Sequence, residues 1–96
     1  GEDTVARQGG DEFIVVLSDI DSIQSASAVA QKILDVLVFP FLIGDKEMHI
    51  GCSIGITLFP DDGMDVDTLL KNSDTAMYHA KSAGRNNYQF FALLSR

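Results

Sequence analysis

"TVARQGGDEFIVVLS", Thr4 to Ser18, decides how the rest of the chain can be read. Two β-prone segments flank Gly9-Gly10. A glycine pair in that position predicts a hairpin with a two-residue turn, because glycine accepts the positive φ of the turns that suit twisted strands. Phe13 to Leu17 is apolar without interruption and rich in β-branched residues, the pattern of an interior strand covered on both faces. Asp11 and Glu12 stand between that turn and that strand. As successive strand residues they would point to opposite faces, so they converge on one ligand only if the hairpin tip is irregular.

Downstream of the hairpin the period changes. In "DIDSIQSASAVAQKILDVLVFP" (19–40), Ile23, Ala26, Ala30, Ile33, Leu34 and Leu37 recur at helical spacing. Asp21 is a candidate N-cap with Gln24 three residues on, and Pro40 closes the segment. "FLIGDKEMHIGCSIGITLFP" (41–60) returns to strands, with Gly44-Asp45 as a second turn. From Met48 the alternation is strict: Met48, Ile50, Cys52, Ile54, Ile56 and Leu58 share one face of a single predicted strand. The opposite face carries His49, Gly51, Ser53, Gly55 and Thr57, and a face so bare admits a closely packed helix or a ligand. "PDDGMD" (60–65) is a loop rich in turn formers. A second helix follows, capped by Asp65, with Val66, Leu69, Leu70, Ser73, Met77 and Ala80 on one stripe and Gly84 in the C′ position. "NYQFF" (87–91) is a short last strand. The order β-β-α-β-β-α-β predicts an α+β fold, a mixed sheet with flanking helices.

The chain has 96 residues, 46% of them hydrophobic, enough for one small packed domain. No apolar run approaches the roughly 20 residues of a membrane span, and no signal peptide opens the chain. The polar start without an initiator Met reads as a piece of a longer protein. The net charge of −7, from 14 acids against 7 Lys plus Arg, argues against a surface that tracks nucleic-acid phosphates. An anionic ligand would need a local device, such as a cation, a helix end or a few focused basic residues. Cys52 is the single cysteine, so no internal disulfide forms and a cytoplasmic setting is expected. Its place on the apolar face predicts a buried, inert thiol. His49 has no neighbouring Cys or His with which to hold a metal.

Two clusters could carry chemistry. Asp11 and Glu12 are either solvated acids at a hairpin end or hard oxygen ligands for Mg²⁺, with the side-chain-free Gly9 and Gly10 admitting a nucleotide. Lys81 lies in the last turn of the second predicted helix and Arg85 just past its end. They either complement the helix dipole or supply the focused positive charge that phosphates need.

Four ordered segments separate these readings. "RQGGDEF" (7–13) resembles the signature of the GGDEF family, the diguanylate cyclases. "SIGITLFPDDG" (53–63), "LLKNSDTAMYHAK" (69–81) and "GRNNYQFF" (84–91) are similar to that family's later segments, in the same order. The resemblance implies a nucleotide-cyclase-like mixed sheet that condenses two GTP molecules into cyclic di-GMP and pyrophosphate, using Mg²⁺ or Mn²⁺, between two domains that face each other as a homodimer. It implies that Asp11 is the metal-binding catalytic acid and Glu12 its neighbour at the same centre. Gly9 and Gly10 would turn over the substrate phosphates, and Lys81 and Arg85 would contact them.

By the same resemblance, residues 1–91 are the C-terminal part of a GGDEF domain and 92–96 begin a linker or tail. The family's N-terminal half carries a central strand with another metal-binding Asp and the residues that read guanine. The chain alone is therefore expected to be inactive, and its sheet to keep an open edge where that strand belongs. Asp3 falls at the Asp of that family's Arg-x-x-Asp product-inhibition pattern, whose Arg would lie one residue before Gly1, so Asp3 is either an inhibitory-site acid or an ordinary solvated one. Sensor and EAL phosphodiesterase domains are the expected fused partners, with no nucleic acid and no direct membrane contact. A silent GTP-binding regulatory module fused to an EAL domain is the alternative function, and a pure dimerisation element is the weaker third.

Overall fold

The computed structural model describes residues 3–18, 20, 22–37 and 39–94, with backbone alone for 39–42 and 48–50. Strand β1 (Thr4–Gly9) turns back into β2 (Glu12–Ser18), and helix α1 (Ile23–Val36) follows. A separate hairpin pairs β3 (Phe39–Ile43) with β4 (Lys46–Ile50). Strand β5 (Ser53–Phe59), helix α2 (Val66–Ser82) and strand β6 (Asn87–Phe90) complete the chain, with a 3₁₀ turn at Phe91–Leu93. The main sheet has the order β1-β2-β5-β6. Its first pair is antiparallel and the other two are parallel. No helix among the described residues is long and apolar enough to cross a membrane.

The continuously apolar strand lies where its pattern demands. β2 sits between β1 and β5, and Phe13, Ile14, Val15 and Leu17 are all buried. One face of the sheet joins Phe13, Val15, Leu17, Cys52, Ile54, Ile56 and Phe90 to Ala26, Ala30 and Leu34 of α1. Cys52 is buried as expected, and burial pushes its thiol pKa up, away from the reactive thiolate.

The bare face of β5 receives α2. A Cβ on Gly55 would overlap the Ser73 carbonyl oxygen and the Met77 backbone nitrogen, so helix and strand touch backbone to backbone. Beside this contact the hydroxyls of Thr57 and Ser73, both fully buried, lie 2.7 Å apart and satisfy each other. Thr57→Val would leave the Ser73 hydroxyl without a partner and should cost about 1–3 kcal/mol. Adding Ser73→Ala should restore most of that loss, and urea unfolding midpoints of the single and double variants check both statements.

Three expectations about element boundaries change. The alternation from Met48 to Leu58 does not make one strand: the chain leaves the β3–β4 ladder at Ile50 and enters the main sheet at Ser53. Gly51 permits the break, because the Asn86 side chain occupies the space its Cβ would fill. The cap of α1 is Ser22, whose side chain accepts from the Ser25 N–H at 3.2 Å, while the expected cap Asp21 lies outside the described residues. α1 stops at Val36, so Pro40 does not close it but stands in β3. Among the described residues β2 and β5 pair directly from Glu12↔Ser53 to Ser18↔Phe59, leaving β1 and β6 as the edges of the sheet.

α2 begins as predicted at Asp65, whose carboxylate accepts from the Thr68 N–H at 3.1 Å and the Thr68 hydroxyl at 2.7 Å. Those bonds hold its pKa below the usual aspartate value. Leu69, Ser73, Met77 and Ala80 are buried as their stripe requires. Val66 and Leu70 are not: they border an open apolar cavity of about 270 Å³ with Thr4, Val16, Phe59 and Leu69.

Candidate functional site

The site forms where the β1–β2 tip meets the C-terminal end of α2. At the tip the register shifts between Arg7 and Gly9, so Gly9 pairs with Glu12 and the turn residues are Gly10 and Asp11. The expected Gly9-Gly10 turn is thus displaced by one residue. Neither glycine is in the left-handed region. Gly9 matters for another reason: Oε1 of Glu12 lies 2.7 Å from where a Cβ would stand, so the missing side chain makes room for that carboxylate. The Arg7 Nε–H donates to the carbonyl oxygens of Gly9 and Gly10, each at 3.1 Å, and braces the turn. A parallel-sheet contact anchors it from below, with the Ser53 N–H donating to the Asp11 carbonyl oxygen at 2.8 Å.

The end of α2 is built as tightly. The Gly84 N–H donates to the Lys81 carbonyl at 3.3 Å and the Arg85 N–H to the Ala80 carbonyl at 3.2 Å, while Gly84 takes φ 111°. This is the paired termination that a C′ glycine permits. Arg85 and Asn86 then both adopt left-handed backbone, φ 65° and 51°. For arginine that conformation costs about 1 kcal/mol or more. It is held by the Asn87 side-chain amide, which donates to the Ala80 carbonyl at 2.8 Å and to the Arg85 carbonyl at 3.0 Å.

The strained loop aims Arg85 at the hairpin. Its guanidinium donates to Oδ2 of Asp11 at 2.5 Å, and Nζ of Lys81 lies 2.7 Å from Oε2 of Glu12. Asp11 and Glu12, which a regular strand would send apart, therefore both turn toward α2, because the irregular tip removes Asp11 from the strand. Lys81 and Arg85 do more than complement a helix dipole: each reaches a carboxylate across the fold. The four side chains are partly solvated, from 21% exposed at Glu12 to 42% at both cations.

The donor set suits a hard cation. Two carboxylates with open coordination are what Mg²⁺ accepts when waters and substrate phosphates complete its shell. Among the described residues no group of three or more His, Cys, Asp or Glu side chains gathers at one point. Asp3 lies away from the tip, at the other end of the hairpin, where its Oδ1 accepts from the Ser18 N–H at 3.2 Å. Ser53, next to Glu12 across the β2–β5 pair, is fully buried with a hydroxyl that has no hydrogen-bond partner.

Arg7 and Asn87 were not singled out by spacing. A cation two residues ahead of the glycine pair was a usable signal for Arg7. Nothing in the sequence marks Asn87, since its role depends on where α2 ends relative to β6.

Comparison with known proteins bears on this arrangement. The family model described as "Diguanylate cyclase, GGDEF domain" matches residues 1–87. The bifunctional diguanylate cyclase/cyclic di-GMP phosphodiesterase MucR of Pseudomonas aeruginosa is 43% identical, over 94% of this chain and 13% of its own length. The cyclic di-GMP phosphodiesterase PdeR of Escherichia coli is 44% identical, over 94% of this chain and 14% of its own. The chain thus spans about one seventh of these relatives. The crystal structure of an EAL/GGDEF domain protein from M. capsulatus aligns with 93% of this chain and 57% of its own, at 53% identity and a TM-score of 0.66.

Proposed function

The chain belongs to the GGDEF family of diguanylate cyclase domains, and from that premise we propose that, within its intact domain, it binds GTP with Mg²⁺ or Mn²⁺ and joins two GTP molecules into cyclic di-GMP, releasing pyrophosphate. One observation carries the proposal. Two acids at a hairpin tip and two cations at a helix end, 74 positions apart at Asp11 and Arg85, meet in a single ion-paired cluster.

Asp11 and Glu12 would hold the metal, which supplies positive charge beside the phosphates and lowers the barrier to attack there. Arg85 offers a planar fork and Lys81 a point charge, two complementary ways to grip a triphosphate. The bare Gly10, with nothing within 4 Å of its Cβ position, lets the nucleotide approach the backbone, while Gly9 makes room for the Glu12 carboxylate beside it. The reaction joins the 3′-oxygen of each GTP to the α-phosphorus of the other and releases two pyrophosphates, so two domains would face each other as a homodimer. Asp3 takes no part in this proposal. The bacterial cytoplasm, where GTP is available, is the expected setting, with sensor or EAL domains fused alongside.

The second reading, a domain that binds GTP without synthesis and regulates a fused EAL domain, draws support from the phosphodiesterase name of PdeR and the EAL/GGDEF neighbour. Incubating the intact domain with GTP and Mg²⁺ separates the two. Cyclic di-GMP formation supports the cyclase, whereas GTP binding without product supports the regulatory module. No binding at all would overturn both.

A further inference from the structure

The four side chains assigned above to metal and phosphate are, in this structure, bonded to one another. Asp11 holds Arg85 at 2.5 Å and Glu12 holds Lys81 at 2.7 Å. Each carboxylate already has a cation, and each cation already has an anion. The tip and the helix end hold this pairing in place: Arg7 braces the turn, and Asn87 holds Arg85 in its left-handed conformation.

We propose that these two ion pairs couple metal binding to triphosphate binding by exchange of partners. A divalent cation that takes Asp11 and Glu12 displaces Arg85 and Lys81, and the displaced cations are then free to meet the phosphates. Conversely, a triphosphate that draws Arg85 and Lys81 away leaves the carboxylates uncompensated and ready for metal. Each ligand alone must break ion pairs without replacing both halves, so each binds below its full affinity until the other arrives. The site therefore disfavours bare metal and metal-free triphosphate and favours the two together. The inference rests on the functional reading above and adds its regulation.

Titration calorimetry on the intact domain tests it with single ligands, which avoids metal–phosphate complexes in solution. With Mn²⁺ alone, Lys81→Met and Arg85→Met should each tighten binding, because the competing cation is gone. Partly exposed pairs set the scale at about two- to fivefold. The gain from Lys81→Met should vanish in a Glu12→Gln background, and the gain from Arg85→Met in an Asp11→Asn background, since each cation competes only at its own partner. With metal-free inorganic triphosphate, Glu12→Gln and Asp11→Asn should tighten binding on the same scale.

Gains that persist undiminished in the matched backgrounds would reduce the effect to long-range charge and overturn the exchange. Unchanged or weakened Mn²⁺ binding in both cation variants would overturn it as well. If the wild-type domain binds neither Mn²⁺ nor GTP, the functional reading falls and the coupling with it. If it makes cyclic di-GMP while the variants show no gain, only the coupling falls.

Discussion

In the intact domain, Asp11→Asn is expected to lower cyclic di-GMP formation by at least about 100-fold, since even residues that only orient metal ligands cost 10–100-fold when changed. Its thermal midpoint should scarcely move. The variant preserves the size of the side chain and an acceptor oxygen for Arg85, and removes only the charge. Asp11 is 27% exposed and Arg85 42%, so the lost ion pair is screened by water and worth at most about 1 kcal/mol to the fold. A large loss of rate with an intact fold is the signature of a group that acts on the reaction. Product formation near the wild-type rate would mean that Asp11 is not at the metal centre. Lys81 and Arg85 should behave differently, their replacement weakening GTP binding; unchanged affinity would leave them only their ion pairs with Glu12 and Asp11 and the helix-dipole role.

Gly55→Ala is expected to have the largest effect on stability, about 3 kcal/mol or more, a large fraction of what holds a domain of this size together. The added methyl would overlap the Ser73 carbonyl oxygen and the Met77 backbone nitrogen of α2. Backbone atoms cannot rotate out of the way as a flexible side chain does. Either the helix moves off the sheet, exposing the buried face of β5, or the strand gives up its place between β2 and β6. Gly10→Ala is the control. Nothing lies within 4 Å of its Cβ position and its φ is not left-handed, so stability should stay within about 1 kcal/mol of wild type. Circular dichroism melts of both variants decide the matter: a Gly55→Ala melt that coincides with wild type would show that α2 does not pack on β5 as described.

The mixed sheet and its helices could be read from local pattern, because periodicity reports which face of an element is buried. The uninterrupted run Phe13–Leu17 announced an interior strand, and the small residues at Ser53, Gly55 and Thr57 left a bare face for a closely packed helix or a ligand, a choice that only the docking of α2 made. Local pattern failed where the partner of an element decides. Met48 to Leu58 alternates without interruption, yet it belongs to two sheets, since alternation states only that side chains take turns and not which ladder they join. The helix caps show the same limit at smaller scale. Asp21 and Ser22 both suit a cap, and their order alone does not choose between them.

By itself, the sequence determined the order of elements, the buried strand, the acids at the hairpin tip, the cations at the end of the second helix, and the resemblance that named their family. Each of these is written in residues near one another along the chain. Only the tertiary structure decided that Asp11 meets Arg85 and Glu12 meets Lys81. It also decided that Gly9 serves Glu12 rather than a left-handed turn, and that Arg85 is held in a strained conformation facing the hairpin. These depend on how β5 and α2 dock against β2, and on one register shift at the tip. Such distances are set by packing across the fold, and no local spacing encodes them.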